Sequence, residues 1–256
     1  MDTAVILQHI AKAQRTAGDM MLSAADAMAQ EKSGHRDVVT QYDRAVQALL
    51  MKQLAQALPG ARFYCEELAE NAPLDAPALF IIDPIDGTMN FLKGLRHSCI
   101  SIAYCERGEL VAGAVYNPYA DELFTAEKDK GAFLNGTAIH VADTTLSDSL
   151  VHFGTSPYYN SVTDDTFALA RKVYAASLDV RRKGSAALDL CDVAAGRVGL
   201  YFEMSLSLWD YAAGALLVRE AGGTVTAMDG KALPFDGSKP SILAGNRVCV
   251  EEFLKL

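Results

Sequence analysis

The hydrophobic period changes near residue 60, and that change limits the fold more than any other feature of the chain. Upstream, Ile6, Ile10, Ala13, Ala17, Met20, Ala24 and Met28 recur at spacings of three and four, which predicts a long amphipathic helix after an Asp2-Thr3 cap, ending near Lys32-Ser33-Gly34. A second helix is expected over residues 40–58, where Pro59-Gly60 stops it. Downstream the apolar runs shorten. Residues 62–65, 79–83, 99–105 and 110–116 read as strands, the last two joined across Glu106-Arg107-Gly108-Glu109 as a hairpin. From Ser149 the pattern alternates: strand 149–153, helix 163–175, strand 178–181, helix 185–196, strand 199–202, helix 210–222, then strands near Thr224 and Ser241. Alternation of this kind places the chain in the α/β class, with an α+β N-terminal part. The polar, turn-forming Asp143-Thr144-Thr145-Leu146-Ser147-Asp148 is the expected boundary between domains 1–146 and 147–256.

Composition narrows the function classes. The chain has 256 residues, half of them hydrophobic, enough for one large core or two medium ones. A formal charge of -9, from 32 acidic against 23 basic residues, has the wrong sign for holding a nucleic-acid backbone. No apolar stretch approaches the ~20 residues that span a bilayer, and Met-Asp-Thr-Ala does not open a signal peptide, so neither a membrane nor a nucleic acid is an expected partner and the expected compartment is the cytoplasm. The five cysteines form no Cys-x-x-Cys pair and the histidines are scattered, which leaves reduced thiols and directs any metal towards hard oxygen donors.

The segment Leu79-Phe80-Ile81-Ile82-Asp83-Pro84-Ile85-Asp86-Gly87-Thr88-Met89-Asn90-Phe91 carries the most chemical information. An apolar strand runs into a turn with two acids. Open α/β sheets place ligands at the carboxyl ends of strands, and Gly87-Thr88 opening a short helix would offer backbone N–H groups to a phosphate. Piecemeal, the same residues also serve as ordinary turn and capping residues. Glu66-Glu67 end an earlier strand, and Asp210 opens a later helix behind Trp209.

Taken together, Glu66-Glu67, Asp83-Pro84-Ile85-Asp86-Gly87-Thr88-Met89-Asn90-Phe91 and Trp209-Asp210 resemble the inositol monophosphatase family. Lys32, Asp37-Val38-Val39-Thr40 and Asp43 look like its first-domain loop and helix; Gly184-Ser185-Ala186-Ala187, Tyr201-Phe202-Glu203 and Glu220-Ala221-Gly222-Gly223 look like its second-domain markers. The resemblance implies a layered α-β-α-β-α sandwich of the inositol monophosphatase and sugar phosphatase type, usually a homodimer. It implies a phosphoric monoester hydrolase using two or three Mg²⁺ ions and inhibited by lithium. It assigns Glu66, Asp83, Asp86 and Asp210 as carboxylate metal ligands, Ile85 as a carbonyl ligand, and Thr88 with Asp43 as the pair that orients and deprotonates the attacking water. Four carboxylates in one pocket cannot all remain ionised near neutral pH without cations, and hard oxygen donors suit Mg²⁺. Gly87, Thr88, Thr155, Gly184, Ser185, Ala186 and Glu203 match positions that contact the substrate, a small phosphorylated metabolite.

Three places depart from the family pattern: Cys65, Arg96-His97 and Ser207-Leu208. They leave the leaving group open among inositol 1-phosphate, fructose 1,6-bisphosphate, histidinol phosphate and a nucleotide 3′-phosphate. Cys65 reads either as an oxidation-sensitive thiol beside the site or as a small buried strand residue. Arg181, Arg182 and Lys183 read either as an attractor for an anion or as a solvated basic turn. Cys191 to Arg197 has the Cys-x5-Arg spacing of cysteine-dependent phosphatases, but Leu188, Cys191 and Ala195 fall on one helical face, where amides are already bonded. A non-catalytic binding subunit would be expected to have lost a ligand, and all are present.

Overall fold

The Asp2 side chain accepts a hydrogen bond from the Ala4 amide and caps α1 (Thr3–Leu22), whose Ile6, Ile10, Ala13, Ala17 and Met21 are buried. The structure, a computed structural model, describes residues 2–25, 27–34 and 37–256, with Ser33, Gly34 and Asp37 described by backbone alone. The expected helix overshoots by ten residues or so: α1 ends at Leu22, and the Ser23 hydroxyl bonds the Asp19 and Met20 carbonyls at 2.8 and 3.1 Å. The Ala24 amide then bonds the Met21 carbonyl in place of Met20, which ends the regular pattern. Met28 is exposed, and β1 (Ala29–Gly34) pairs antiparallel with β2 (Asp37–Thr40). Thr40 then caps α2 (Gln41–Ala57) through a capping box with Asp43.

The larger sheet has seven strands in the order β3-β4-β5-β6-β7-β8-β9. They are β3 (Arg62–Cys65), β4 (Leu79–Asp86), β5 (Cys99–Glu106), β6 (Glu109–Asn117), β7 (Glu122–Glu127), β8 (Gly131–Leu134) and β9 (Thr137–Ile139). Only the β3–β4 pair is parallel; the other pairs are antiparallel. β7 to β9 extend the sheet beyond the strands expected from sequence. Period-two alternation sends Phe80, Ile82, Ile100, Ile102 and Tyr104 to one face, where α1 and α2 cover them with Ile6, Ile10, Val46, Leu50 and Leu54. Leu79, Ile81, Ala103 and Cys105 take the opposite face.

That opposite face carries α5 (Ala186–Ala194) and α6 (Leu208–Glu220), which follow the short α3 (Thr88–Leu92) and α4 (Thr163–Ala176) in the chain. Every residue of α5 is buried, and α6 is apolar almost all round, as a helix enclosed between two sheets must be. The second sheet has the order β11-β10-β12-β14-β13, from β10 (Leu150–Phe153), β11 (Asp179–Arg181), β12 (Leu200–Glu203), β13 (Thr224–Thr226) and β14 (Ile242–Gly245). Its outer face, including Val151, Leu200, Phe202 and Leu243, packs with Ala170 and Val173 of α4 and with Val250 and Phe253 of α7 (Arg247–Phe253). The layers therefore run α1/α2, large sheet, α5/α6, small sheet, α4/α7. The large sheet ends at Ile139 and the small one begins at Leu150. Among the described residues no helix is long and apolar enough to cross a membrane.

Candidate metal and substrate site

Asp83 and Asp86 are three residues apart, so a regular strand would point them to opposite faces. β4 avoids this with a bulge: Asp83 lies opposite Ser101 and Asp86 opposite Cys99, three steps against two, which returns both carboxylates to the α5/α6 side. Pro84, which has no N–H to pair, sits in that bulge. The Asp83 Oδ1 accepts the Ile85 amide at 3.0 Å, which orders the turn. Gly87 follows at φ +85, and a Cβ there would stand 3.1 Å from the Gly184 and His97 carbonyls, so both conformation and space require glycine.

Other elements bring further acids to the same cavity. Glu66 leaves the end of β3 and accepts Lys32 Nζ at 2.9 Å; Lys32 also pairs with Glu67. Asp210, in the first turn of α6, accepts the Ser207 amide at 2.8 Å. Asp86 Oδ2 accepts the Ser185 hydroxyl at 2.5 Å and the Ala187 amide at 2.8 Å, where α5 begins. Glu66, Asp83, Ile85, Asp86 and Asp210 all line one cavity of about 430 Å³. Among the described residues the tightest His/Cys/Asp/Glu group, with ligand atoms within 4.8 Å of one another, is a different one, His152, Asp189 and Asp192. Glu66, Asp83, Asp86 and Asp210 supply hard oxygen donors to the larger cavity, the kind of set a divalent cation takes.

Electrostatics fit that use. Burial first, and then like charges, raise all four acids: Glu66 to about 7 with Lys32 opposing, Asp86 to about 6 with Ser185 and the Ala187 amide opposing, and Asp83 and Asp210 well above the usual range. Lys32 supplies one positive charge, and burial is outweighed by Glu66 and Glu67 in raising its pKa. The remaining excess of hard oxygen donors fits divalent cations such as Mg²⁺.

Asp43 lines neither cavity and reaches the site through Thr88, which lines both. Its Oδ2 accepts the Thr40 amide at 2.8 Å and the Thr40 hydroxyl at 2.5 Å, completing the capping box, while Oδ1 faces the Thr88 hydroxyl at 3.2 Å. The Thr88 hydroxyl is also 3.1 Å from the Ile85 carbonyl. Capping and contact with Thr88 thus use different oxygens of one carboxylate, and burial raises its pKa.

A second cavity, of about 220 Å³, shares Asp86, Gly87, Thr88 and Asp210 with the first and adds Gly184, Ser185, Ala186 and Glu203. Glu203 accepts the Ser156 amide at 2.6 Å and the Tyr201 hydroxyl at 2.5 Å. It presses on Gly154 so closely that a Cβ there would fall 1.8 Å from Oε2. Thr155 is not in the lining; its hydroxyl accepts Arg182 Nη2 at 3.2 Å. Of the three basic residues before Gly184, Arg182 alone lines the cavity, because Arg181 pairs with Asp179 and Lys183 with Asp192. Leu206 borders the smaller cavity and Ser207 the larger one.

Sequence reasoning missed Tyr158 at both cavities, Tyr159 and Lys239 at the larger one, and Asp189 at the smaller one. Tyr158 and Tyr159 lie in a loop and Lys239 in a polar Ser-Lys-Pro stretch, so no periodicity marks them. Cys191 is buried within α5 and burial raises its pKa well above the usual range, while Arg197 pairs with Glu122 and Asp192; no thiolate loop forms. Cys65 is likewise buried, and burial pushes its thiol up to about 12.

The family model described as "Inositol monophosphatase family" matches residues 2–256. The inositol-1-monophosphatase of Mesorhizobium japonicum is 42% identical over 228 residues, 87% of this chain and 83% of that protein. The Nus factor SuhB of Salmonella typhimurium is 38% identical over 241 residues, 93% of this chain and 88% of that protein. The crystal structure of the extragenic suppressor protein suhB from Bartonella henselae superposes with a TM-score of 0.91 at 36% identity, covering 98% of this chain and 97% of that one. With the fold, the bulged acidic strand and these likenesses in agreement, the chain belongs to the inositol monophosphatase family.

Proposed function

We propose that this protein hydrolyses a small phosphate monoester with Mg²⁺, myo-inositol 1-phosphate foremost. The observation that carries the reading is the gathering of Glu66, Asp83, Ile85, Asp86 and Asp210 around one cavity that opens into another holding Glu203. These five residues would hold the ions through four carboxylates and one carbonyl. Bound magnesium would activate water and offset charge on the phosphoryl oxygens.

The chain's own groups do the rest. The Thr88 hydroxyl can pass its proton to Asp43 Oδ1 at 3.2 Å while taking one from the attacking water, and the raised pKa of Asp43 makes it a better acceptor. The Gly87 and Thr88 amides precede the first intrahelical bonds of α3 and are free to meet phosphoryl oxygens. Glu203, Gly184, Ser185 and Ala186 would orient the leaving alcohol, and Thr155 would act through Arg182. A homodimer and lithium inhibition are proposed with the same activity.

Phosphate release from myo-inositol 1-phosphate, fructose 1,6-bisphosphate, histidinol phosphate and adenosine 3′,5′-bisphosphate, with and without Mg²⁺, tests this. Turnover led by the inositol ester supports class and substrate; another leading ester keeps the chemistry and changes the substrate. A second reading, binding to a partner without turnover, follows from the name Nus factor carried by the Salmonella relative. Failure on every ester would favour it.

A further inference from the structure

Asp189 of α5 lines the smaller cavity together with Glu203, and neither residue lines the metal cavity, so both belong to the side that receives the leaving alcohol. Asp189 is 1% exposed. His152 Nδ1, from β10, stands 2.7 Å from its Oδ1 but off the axis that a hydrogen bond requires, so neither atom has an aligned partner among the described residues. The neighbouring acid is in a different position. Asp192 lies 3.8 Å from the same nitrogen but also meets Lys183 at 2.7 Å and Arg197 at 3.0 Å, and these cations hold its pKa low against burial. Among the described residues Asp189 makes no such ion pair with a lysine or arginine, and burial pushes it up to about 6 with His152 opposing.

Glu203 already receives Ser156 and Tyr201, whereas Asp189 lines the same cavity with a carboxylate whose buried Oδ1 has no aligned donor among the described residues. A buried acceptor without a donor is costly, and a substrate hydroxyl would relieve that cost.

We propose that Asp189 is a specificity-determining residue that accepts a hydrogen bond from a hydroxyl of the leaving alcohol, with His152 as the positioning residue behind it. This rests on the phosphatase reading and narrows it. The favoured esters carry hydroxyls on at least two carbons besides the ester carbon, one for Glu203 and one for Asp189.

The test compares wild type with Asp189→Asn on myo-inositol 1-phosphate, cyclohexyl phosphate and p-nitrophenyl phosphate in Mg²⁺, and adds monodeoxy-inositol 1-phosphates. The wild type should prefer the inositol ester to the cyclohexyl ester in kcat/KM, and Asp189→Asn should shrink that preference about 10- to 100-fold. Turnover of p-nitrophenyl phosphate should change by less than about twofold. One deoxy ester should lose a similar factor on the wild type and nothing further on the variant, while His152→Asn should raise KM for the inositol ester with kcat nearly kept. An equal fall on all three esters, or an unchanged preference, overturns the assignment. So does a deoxy series in which a single hydroxyl matters, a result independent of whether the variant folds. Absence of turnover of all three esters in the wild type overturns the phosphatase reading itself, and this inference with it.

Discussion

The Thr88 hydroxyl lies 3.2 Å from the Asp43 carboxylate, across 45 residues of sequence, and the same carboxylate caps α2 through its other oxygen. Asp43→Asn preserves an acceptor for the Thr40 donors and turns an amide donor towards Thr88. It is expected to lower kcat about 10²- to 10⁴-fold with KM little changed, because the proton acceptor is lost and the cap is kept. Steady-state kinetics beside a circular-dichroism melt check this; a large fall in melting temperature would mean that the variant reports on folding.

Asp83→Asn removes a negative donor at nearly constant volume from a site where burial and like charges already disfavour the anion. Turnover should vanish, while the metal-free melting temperature stays level or rises. The rise that Mg²⁺ produces in the wild type should shrink or disappear, as expected when a ligand binds only the native state. A melting series with and without Mg²⁺ reads all three; wild-type turnover in this variant contradicts the metal assignment.

The pH dependence follows from the direction of the same shifts. Glu66 at about 7 and Asp86 at about 6 hold protons more tightly in the folded than in the unfolded chain. Their contribution is fully present below the unfolded values, about 4.3 and 3.9 for Glu and Asp, and is lost as pH rises through the folded values. The metal-free protein should therefore lose stability from this cluster between pH 4 and about 7. Mg²⁺ needs the ionised forms, so its stabilising effect should be larger at pH 8 than at pH 5. Equal effects at both pH values contradict this.

Gly154 lies against Glu203 with no room for a methyl group. Gly154→Ala should displace the carboxylate and lower kcat/KM for the inositol ester about 10-fold or more, with a smaller effect on p-nitrophenyl phosphate. An unchanged inositol ester in kinetic assays would show that Glu203 does not orient the alcohol.

Strong local signals made much of the fold legible in the sequence. Residues 62–65 are a strand as expected, the hairpin around Arg107-Gly108 forms, and residues 163–175 are helical. Ala24 and Met28 keep the apolar spacing past the end of the first helix, where the Ala24 amide bonds Met21 in place of Met20 and the regular pattern breaks. β7 to β9 are short, and only Phe124 and Ala126 of β7 and Ala132 of β8 are buried there, so their periodicity is weak. The Asn135-Gly136 pair, both at positive φ between β8 and β9, was a readable hairpin signal. The acids at Asp83 and Asp86 were legible as residues, but the bulge that turns both to one face is a property of pairing with β5. Asp189 was hidden because it lies among buried helix residues that pattern alone assigns to the core.

The most direct test is phosphate release from the best ester of the panel, measured after chelation with EDTA and again during Mg²⁺ titration. The account predicts that release stops on chelation and returns with Mg²⁺ in the wild type, but not in Asp83→Asn. Release that continues undiminished after chelation would contradict it.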